Sequence, residues 1–193
     1  MNELLDILQN RASFPVNQLT EPGPDNDQLA DILRCALSAP DHGRLRPWRF
    51  IAIRGDARRA FSEVLGDAAR RQQPPVPEQK IQRIRDKPLQ APLILVIVAT
   101  QTPDHPKIPE VEQTLSAGAA AQQIQLGAIA SGFGSIWLTG GSAYDSTVLQ
   151  ALGVAGPDKI AGFIYIGTPT ADRPSRQRPA LEDYLSEWHG PTL

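Results

Sequence analysis

Apolar residues recur along this chain at two spacings, and the switches between them mark its elements. Over residues 26–37, Leu29, Ile32, Leu33, Ala36 and Leu37 fall at i, i+3, i+4, i+7 and i+8. That is one face of an amphipathic helix. Asp25 or Asn26 is its candidate N-cap, because a short polar side chain accepts a bond from a free amide of the first turn. Pro40 ends it, since proline lacks an amide hydrogen and turns the preceding residue away from helical geometry. Residues 2–12, with Leu4, Leu5, Ile7 and Leu8, predict an earlier helix. Residues 17–24 form a proline- and glycine-containing connection. Residues 56–71 predict another helix, with Ala60, Phe61, Val64 and Leu65 on one side.

Strand signals punctuate these helices. Residues 48–54 read as a strand, and 93–99 are a continuous apolar, largely β-branched run. Such a run is short enough for a strand and apolar enough to be buried on both faces. Residues 132–141 read as a helix stop, a short strand and a glycine turn. A last strand spans 160–167, closed by Thr168 and Pro169. Residues 112–131 predict a long helix in which Ala117, Gly118, Ala119, Ala120 and Ala121 carry almost no side-chain volume. Tight helix packing and close approach of a flat ligand both suit that run. Helices are also expected at 145–152 and 181–188. The pattern breaks at 72–77, where three prolines exclude regular structure. A short basic helix is expected at 80–86, and 68–90 reads as a surface excursion, a candidate mobile cover. Helices mixed with about four strands make one α+β or α/β layered domain over residues 1–193.

Composition narrows the function. A chain of 193 residues builds a core without disulfides. A net charge of −2, with basic residues spread out, gives no strong pull toward nucleic acid. The single cysteine, Cys35, excludes an internal disulfide and a cysteine metal cluster. His42, His105 and His189 share no metal-ligand spacing, so no metal is expected. Residues 113–144 carry no charge, but Gln122, Gln123 and Gln125 argue for a helix buried in a soluble core rather than a membrane span. The acidic N-terminus lacks the apolar core of a secretory signal, and a cytoplasmic protein is expected.

Chemistry concentrates where the 26–37 helix ends: Asp41, His42, Gly43, Arg44 and Arg46 precede Pro47 and Trp48. So many hydrogen-bonding groups on a proline-pinned loop suit a polar, planar or anionic ligand. Gly132-Phe133-Gly134 is no dinucleotide fingerprint, because a helix enters the glycines and a strand leaves. No phosphate-binding P-loop or serine nucleophile elbow is present. Asp41 next to His42 is discounted as an acid–base pair, because adjacent side chains as a rule point apart, and no catalytic side chain is assigned. Arg11 with Ser13 is a reasonable phosphate cradle; an arginine compensating a helix C-terminus is the bland alternative.

Four stretches together resemble the FMN-dependent nitroreductase family, specifically its short bacterial NAD(P)H nitroreductases. They are Asn10-Arg11-Ala12-Ser13, then 39–42 with 46–50, then 116–118 through 132–137, and finally 162–169. Each is weak alone; their order and spacing are specific. The resemblance implies the α+β nitroreductase-like layered sheet, a homodimer, and FMN in a groove between subunits. It implies that Arg11, Ala12 and Ser13 hold the phosphate end and that Ser38 and His42 line the site. Trp137, Leu138 and Thr139 would line it from the other side. Gly127, Ala128, Ile129, Ala130, Ser131 and Gly132 would lie near NADH or NADPH. Arg173 and Arg176 are further candidates for the phosphate, and the basic 80–87 segment for a 2′-phosphate. The implied activity is hydride transfer from NAD(P)H to FMN, then to nitro compounds, quinones or another small-molecule acceptor, in a ping-pong scheme. Two departures stand out. The family usually carries a second arginine where Ala12 stands, a contact worth about 1.5–3 kcal/mol, with Arg44 or Arg46 as candidate replacements. Val111 stands where relatives can carry a large aromatic. The missing arginine keeps a flavin-binding or regulatory module with little turnover as the alternative. A cofactor-free dimer, its small residues serving packing alone, is a third reading.

Overall fold

The computed structural model describes residues 3–191; Met1, Asn2, Thr192 and Leu193, expected as the ends of the domain, lie outside the described residues. Helices are α1 (Glu3–Asn10), α2 (Asn26–Ala36), α3 (Ala57–Arg70), α4 (Glu78–Gln90), α5 (Glu110–Ala130) and α6 (Ser146–Ala151). Strands are β1 (Leu19–Thr20), β2 (Trp48–Arg54), β3 (Leu93–Ala99), β4 (Gly134–Leu138) and β5 (Lys159–Pro169). Every strand pairing is antiparallel. β3 lies between β2 and β5; β5 also pairs with β4, and its end pairs with β1, where Leu19 faces Pro169. This is the α+β layered sheet expected from the sequence.

The uninterrupted apolar run of β3 is explained by helices on both faces of the sheet. Side chains alternate along a strand. Leu93, Leu95 and Ile97 therefore pack with Ile32 and Ala36 of α2 and Ala117, Ala120 and Ile124 of α5. Ile94, Val96 and Val98 pack on the other face with Phe61 and Leu65 of α3 and Val148 of α6. The alanines of α5 bring that helix close to the sheet. α2 starts at a capping box: the Asp25 carboxylate accepts from the Gln28 amide at 2.8 Å, and Gln28 Oε1 accepts from the Asp25 amide at 3.1 Å. Gln113, fully buried, holds the proline-rich 102–109 loop by donating to the carbonyls of Thr102 (3.0 Å) and Ile108 (2.9 Å) and accepting from the Thr102 amide (2.8 Å).

Several expectations are corrected. Residues 68–90 are not a loose cover. α3 continues to Arg70, α4 resumes at Glu78, and the two pack as a helical hairpin. The Ser62 hydroxyl donates to the Arg85 carbonyl at 2.6 Å, and Arg85 pairs with Glu63. Ile81, Ile84 and Pro88 form the apolar stripe of α4, hidden in the sequence by its basic residues. The sheet has five strands, because the 17–24 connection contains the two-residue β1. The helix expected at 181–188 is a single 3-10 turn, Leu181–Asp183. Leu185 and Trp188 remain exposed, and so short a segment does not sustain a helix without tertiary packing.

Candidate functional site

The pleat of β4 divides the residues expected to act together. Trp137 joins the apolar cluster on the α2/α5 face, while Leu138 packs toward α3 and α6. The Trp137 indole donates from Nε1 to the Ala161 carbonyl at 3.2 Å. This is possible because position 162 is glycine: a Cβ there would sit 2.0 Å from Nε1. The far edge of the ring faces Gly118 of α5, where a Cβ would lie 3.8 Å from Cη2. Gly162 thus leaves room for the indole against the strand, and Gly118 stands at ordinary contact distance from its far edge.

Leu138 and Thr139 open instead into a cavity of about 370 Å³ between the sheet and the α3–α4 hairpin. Phe61, Leu65, Phe163 and Tyr165 supply an apolar side, with the two phenylalanine rings 5.8 Å apart. Lys80, Arg83 and Lys87 of α4 supply a cationic one, and the chain at Gly140, Gly141 and Ser142 closes the end of β4. Tyr165 is 3% exposed, and among the described residues its hydroxyl has no hydrogen-bond partner. Burial pushes its ionisation well above the ordinary phenol range, so it stays a neutral donor at physiological pH. Of these lining groups, sequence reading anticipated Leu138, Thr139 and the basic segment. The aromatic floor went unseen because α3 and β5 lie a hundred residues apart in the chain. One signal was available: Lys80, Arg83 and Lys87 recur at i, i+3 and i+7, one helix face.

At the end of α1, Arg11 donates from Nη1 to Ser13 Oγ at 3.4 Å, and Arg178 donates to the Arg11 carbonyl at 2.5 Å. Burial first, and then the charge of Arg178, lower the Arg11 pKa. Such a group is stabilised by an incoming anion. A smaller cavity of about 210 Å³ beside it is lined by Asn10, Arg173, Ser175, Arg176 and Arg178. The tail thus brings three arginines beside the segment in which Ala12 stands. Ala12 itself is buried at 3% exposure, so its methyl serves packing. The Phe14 amide, bonded to the Ser135 carbonyl at 3.1 Å, ties this segment to β4. Arg44 and Arg46 line neither cavity. They stand on the loop after α2 with φ of 58° and 53°, and Asp41 accepts from the Arg46 amide at 2.6 Å.

Ser38 and His42 lie on the far side of the sheet. Ser38 Oγ donates to the Cys35 carbonyl at 2.7 Å and accepts from Gln123 at 3.4 Å. His42 Nδ1 lies 2.6 Å from Glu112 Oε2, at the start of α5. Both residues are exposed and neither lines a cavity. Gly127 and Ala128 are buried; a Cβ on Gly127 would lie 3.1 Å from Cys35 Sγ, so this glycine permits close α2–α5 packing. Ile129 and Ser131 are half-buried, and Ala130 and Gly132 are exposed at the end of α5. Within one subunit, therefore, Ser38 and His42 stand apart from both cavities, while the Arg11–Ser13 segment adjoins β4 through the Phe14–Ser135 bond. Among the described residues no cluster suited to a metal ion occurs, and no helix is long and apolar enough to cross a membrane.

The model of the Nitroreductase family matches residues 18–168. The Escherichia coli (strain K12) protein named "Putative NAD(P)H nitroreductase YdjA" is 41% identical over 167 residues, covering 86% of this chain and 88% of that one. Among solved structures, a nitroreductase-like family protein from Bacillus cereus superposes with a TM-score of 0.83 at 21% identity, covering 98% of both chains. A "putative nitroreductase in complex with fmn" from Desulfovibrio desulfuricans gives 0.74 at 23% identity, covering 98% of this chain and 99% of that one.

Proposed function

Because the chain belongs to the Nitroreductase family, we propose that it is an FMN-dependent NAD(P)H oxidoreductase. It takes hydride from NADH or NADPH and delivers electrons to nitro compounds, quinones or another small oxidised acceptor in a ping-pong sequence. The observation that carries this reading is the cavity at the end of β4. A flavin ring is flat, apolar on its faces and polar along its pyrimidine edge. The cavity offers an aromatic floor, the neutral hydroxyl of Tyr165 and a cationic wall, and its donor set fits that group. Bound FMN supplies the hydride-accepting ring; the protein supplies orientation and electrostatics.

The residues divide the work. Phe61, Phe163 and Leu138 would exclude water from the bound ring. Lys87 and Tyr165 would supply a positive charge and a hydrogen-bond donor to its polar groups. Arg11 and Ser13, with Arg173 and Arg176 of the tail, hold the phosphate end, where each charge-assisted contact is worth about 1.5–3 kcal/mol. Ser38 and His42 lie away from both cavities, so on this reading a second copy of the chain contributes them, and the working unit is a homodimer. The segment Gly127–Gly132 meets the nicotinamide nucleotide there. The protein acts in the cytoplasm, without nucleic acid or membrane partners. Anaerobic mixing of FMN-loaded protein with NADH or NADPH tests the activity. Rapid bleaching of the flavin absorbance, restored by a nitroaromatic or a quinone, is expected. A retained flavin that neither nucleotide reduces would support a binding module instead.

A further inference from the structure

The cationic wall of the cavity exceeds what a flavin ring alone uses. α3 and α4 carry four acids, and each is engaged away from it: Glu63 with Arg85, Asp67 with Arg70 at 3.2 Å, Glu78 with Arg70 at 3.7 Å, and Asp86 with Gln82 at 2.7 Å. The side chains of Lys80, Arg83 and Lys87 make no ion pair or hydrogen bond among the described residues. They share one face of α4, and the seven steps from first to last span about 10 Å of helix axis. A flavin ring takes up at most one negative charge, at one place along that span. The neighbouring Tyr165, a side chain 3% exposed overall, lines the same cavity and its hydroxyl makes no hydrogen bond among the described residues. If Lys87 and Tyr165 meet the ring, the outer pair is left with no counter-ion.

We propose that Lys80 and Arg83 form an anion site beside the flavin cavity, selecting substrates that carry a phosphate or carboxylate group. The assignment to substrates rests on the flavin-dependent reading above. The oxyanion has two sources, the 2′-phosphate that distinguishes NADPH from NADH, or an acid group on the electron acceptor. In both, two cations on adjacent turns receive one oxyanion at the cavity mouth, and the remainder of the substrate reaches inward over the aromatic floor. Selectivity between an anionic compound and its neutral counterpart is the observable consequence, since the neutral one leaves both cations solvated as before.

Calorimetric titration of the purified protein with NADP⁺ against NAD⁺, and with 4-nitrobenzoate against its methyl ester, tests the site without turnover. Wild type, Lys80→Gln/Arg83→Gln and Lys80→Arg are compared. For one of the two pairs, the double variant is expected to bind the more anionic member about ten- to a hundredfold more weakly, while its counterpart stays within about twofold and Lys80→Arg stays close to wild type. Loss confined to NADP⁺ assigns the site to the reductant; loss confined to 4-nitrobenzoate assigns it to the acceptor. Absence of discrimination in both pairs, or an equal loss for both members, overturns the proposal. Anion binding that survives in protein retaining no FMN would refute the flavin reading while keeping the anion site, so the two failures are distinguishable. Both side chains are exposed, so the double variant is expected to fold; matching circular dichroism and thermal midpoint check this.

Discussion

Replacing Gly162 by alanine tests how the sheet holds Trp137. The added Cβ would meet Trp137 Nε1 at 2.0 Å, Cδ1 at 2.6 Å and the Leu138 carbonyl oxygen at 2.9 Å. A change of side-chain rotamer removes the first two contacts but not the third, which is backbone of the neighbouring strand. Rotation of the indole would also break its bond to the Ala161 carbonyl, worth about 1 kcal/mol. Overpacking costs about 1–3 kcal/mol. The φ of 155° at position 162 lies where residues other than glycine pay a further penalty of about 1 kcal/mol or more. The sum is roughly 3–5 kcal/mol, a large part of the ~5–15 kcal/mol of a typical domain. Urea unfolding measures it. Gly153→Ala is the control, because that glycine has a φ of 61° and nothing within 4 Å of an added methyl; it should lose only about 1 kcal/mol. In a Trp137→Ala background the cost of Gly162→Ala should fall by at least about 1 kcal/mol, a direct coupling between the two positions. Equal costs for Gly162→Ala and Gly153→Ala, with no coupling to Trp137, would refute the reasoning.

Other consequences are open to measurement. Tyr165 ionises only above the ordinary phenol range because it is buried. Its contribution is fully present below the unfolded pKa of about 10 and declines as pH rises above that value, by at most about 1.4 kcal/mol per pH unit; unfolding at pH 9 and 11 should show a shallower alkaline decline in Tyr165→Phe than in wild type. Gln113→Leu strands the amide and carbonyl of Thr102 and the carbonyl of Ile108, and should cost about 2–4 kcal/mol in urea unfolding, with faster proteolysis of the 102–109 loop. Arg11→Ala should weaken FMN binding, followed by fluorescence quenching, about ten- to a hundredfold; Arg173→Ala/Arg176→Ala should weaken it too if the tail replaces the arginine absent at position 12.

The layered sheet was legible because its signals are local. The all-apolar 93–99 run, the Asp25 cap and the helix ending before Pro40 each follow from a few adjacent residues. β1 was not legible, since a two-residue strand has no period and is defined only by its partners Thr168 and Pro169. α4 was legible in charge but not in extent: its apolar stripe is three residues among basic ones, and its docking depends on Ser62 and Glu63 of another helix. The site was legible in its chain-local pieces, Arg11 with Ser13 and Leu138 with Thr139. Its floor was hidden, because Phe61 and Tyr165 meet only through the sheet. Strand pleat, not sequence order, separates the Trp137 indole from Leu138. Gly162 carried no readable signal, because its necessity arises from the register of β4 on β5.

The central claim is that this chain holds FMN. The visible absorbance spectrum of freshly purified protein, recorded before and after desalting with and without added FMN, tests it most directly. The account predicts two flavin bands that persist through desalting. A protein that remains colourless after desalting even when FMN has been supplied in excess would contradict it.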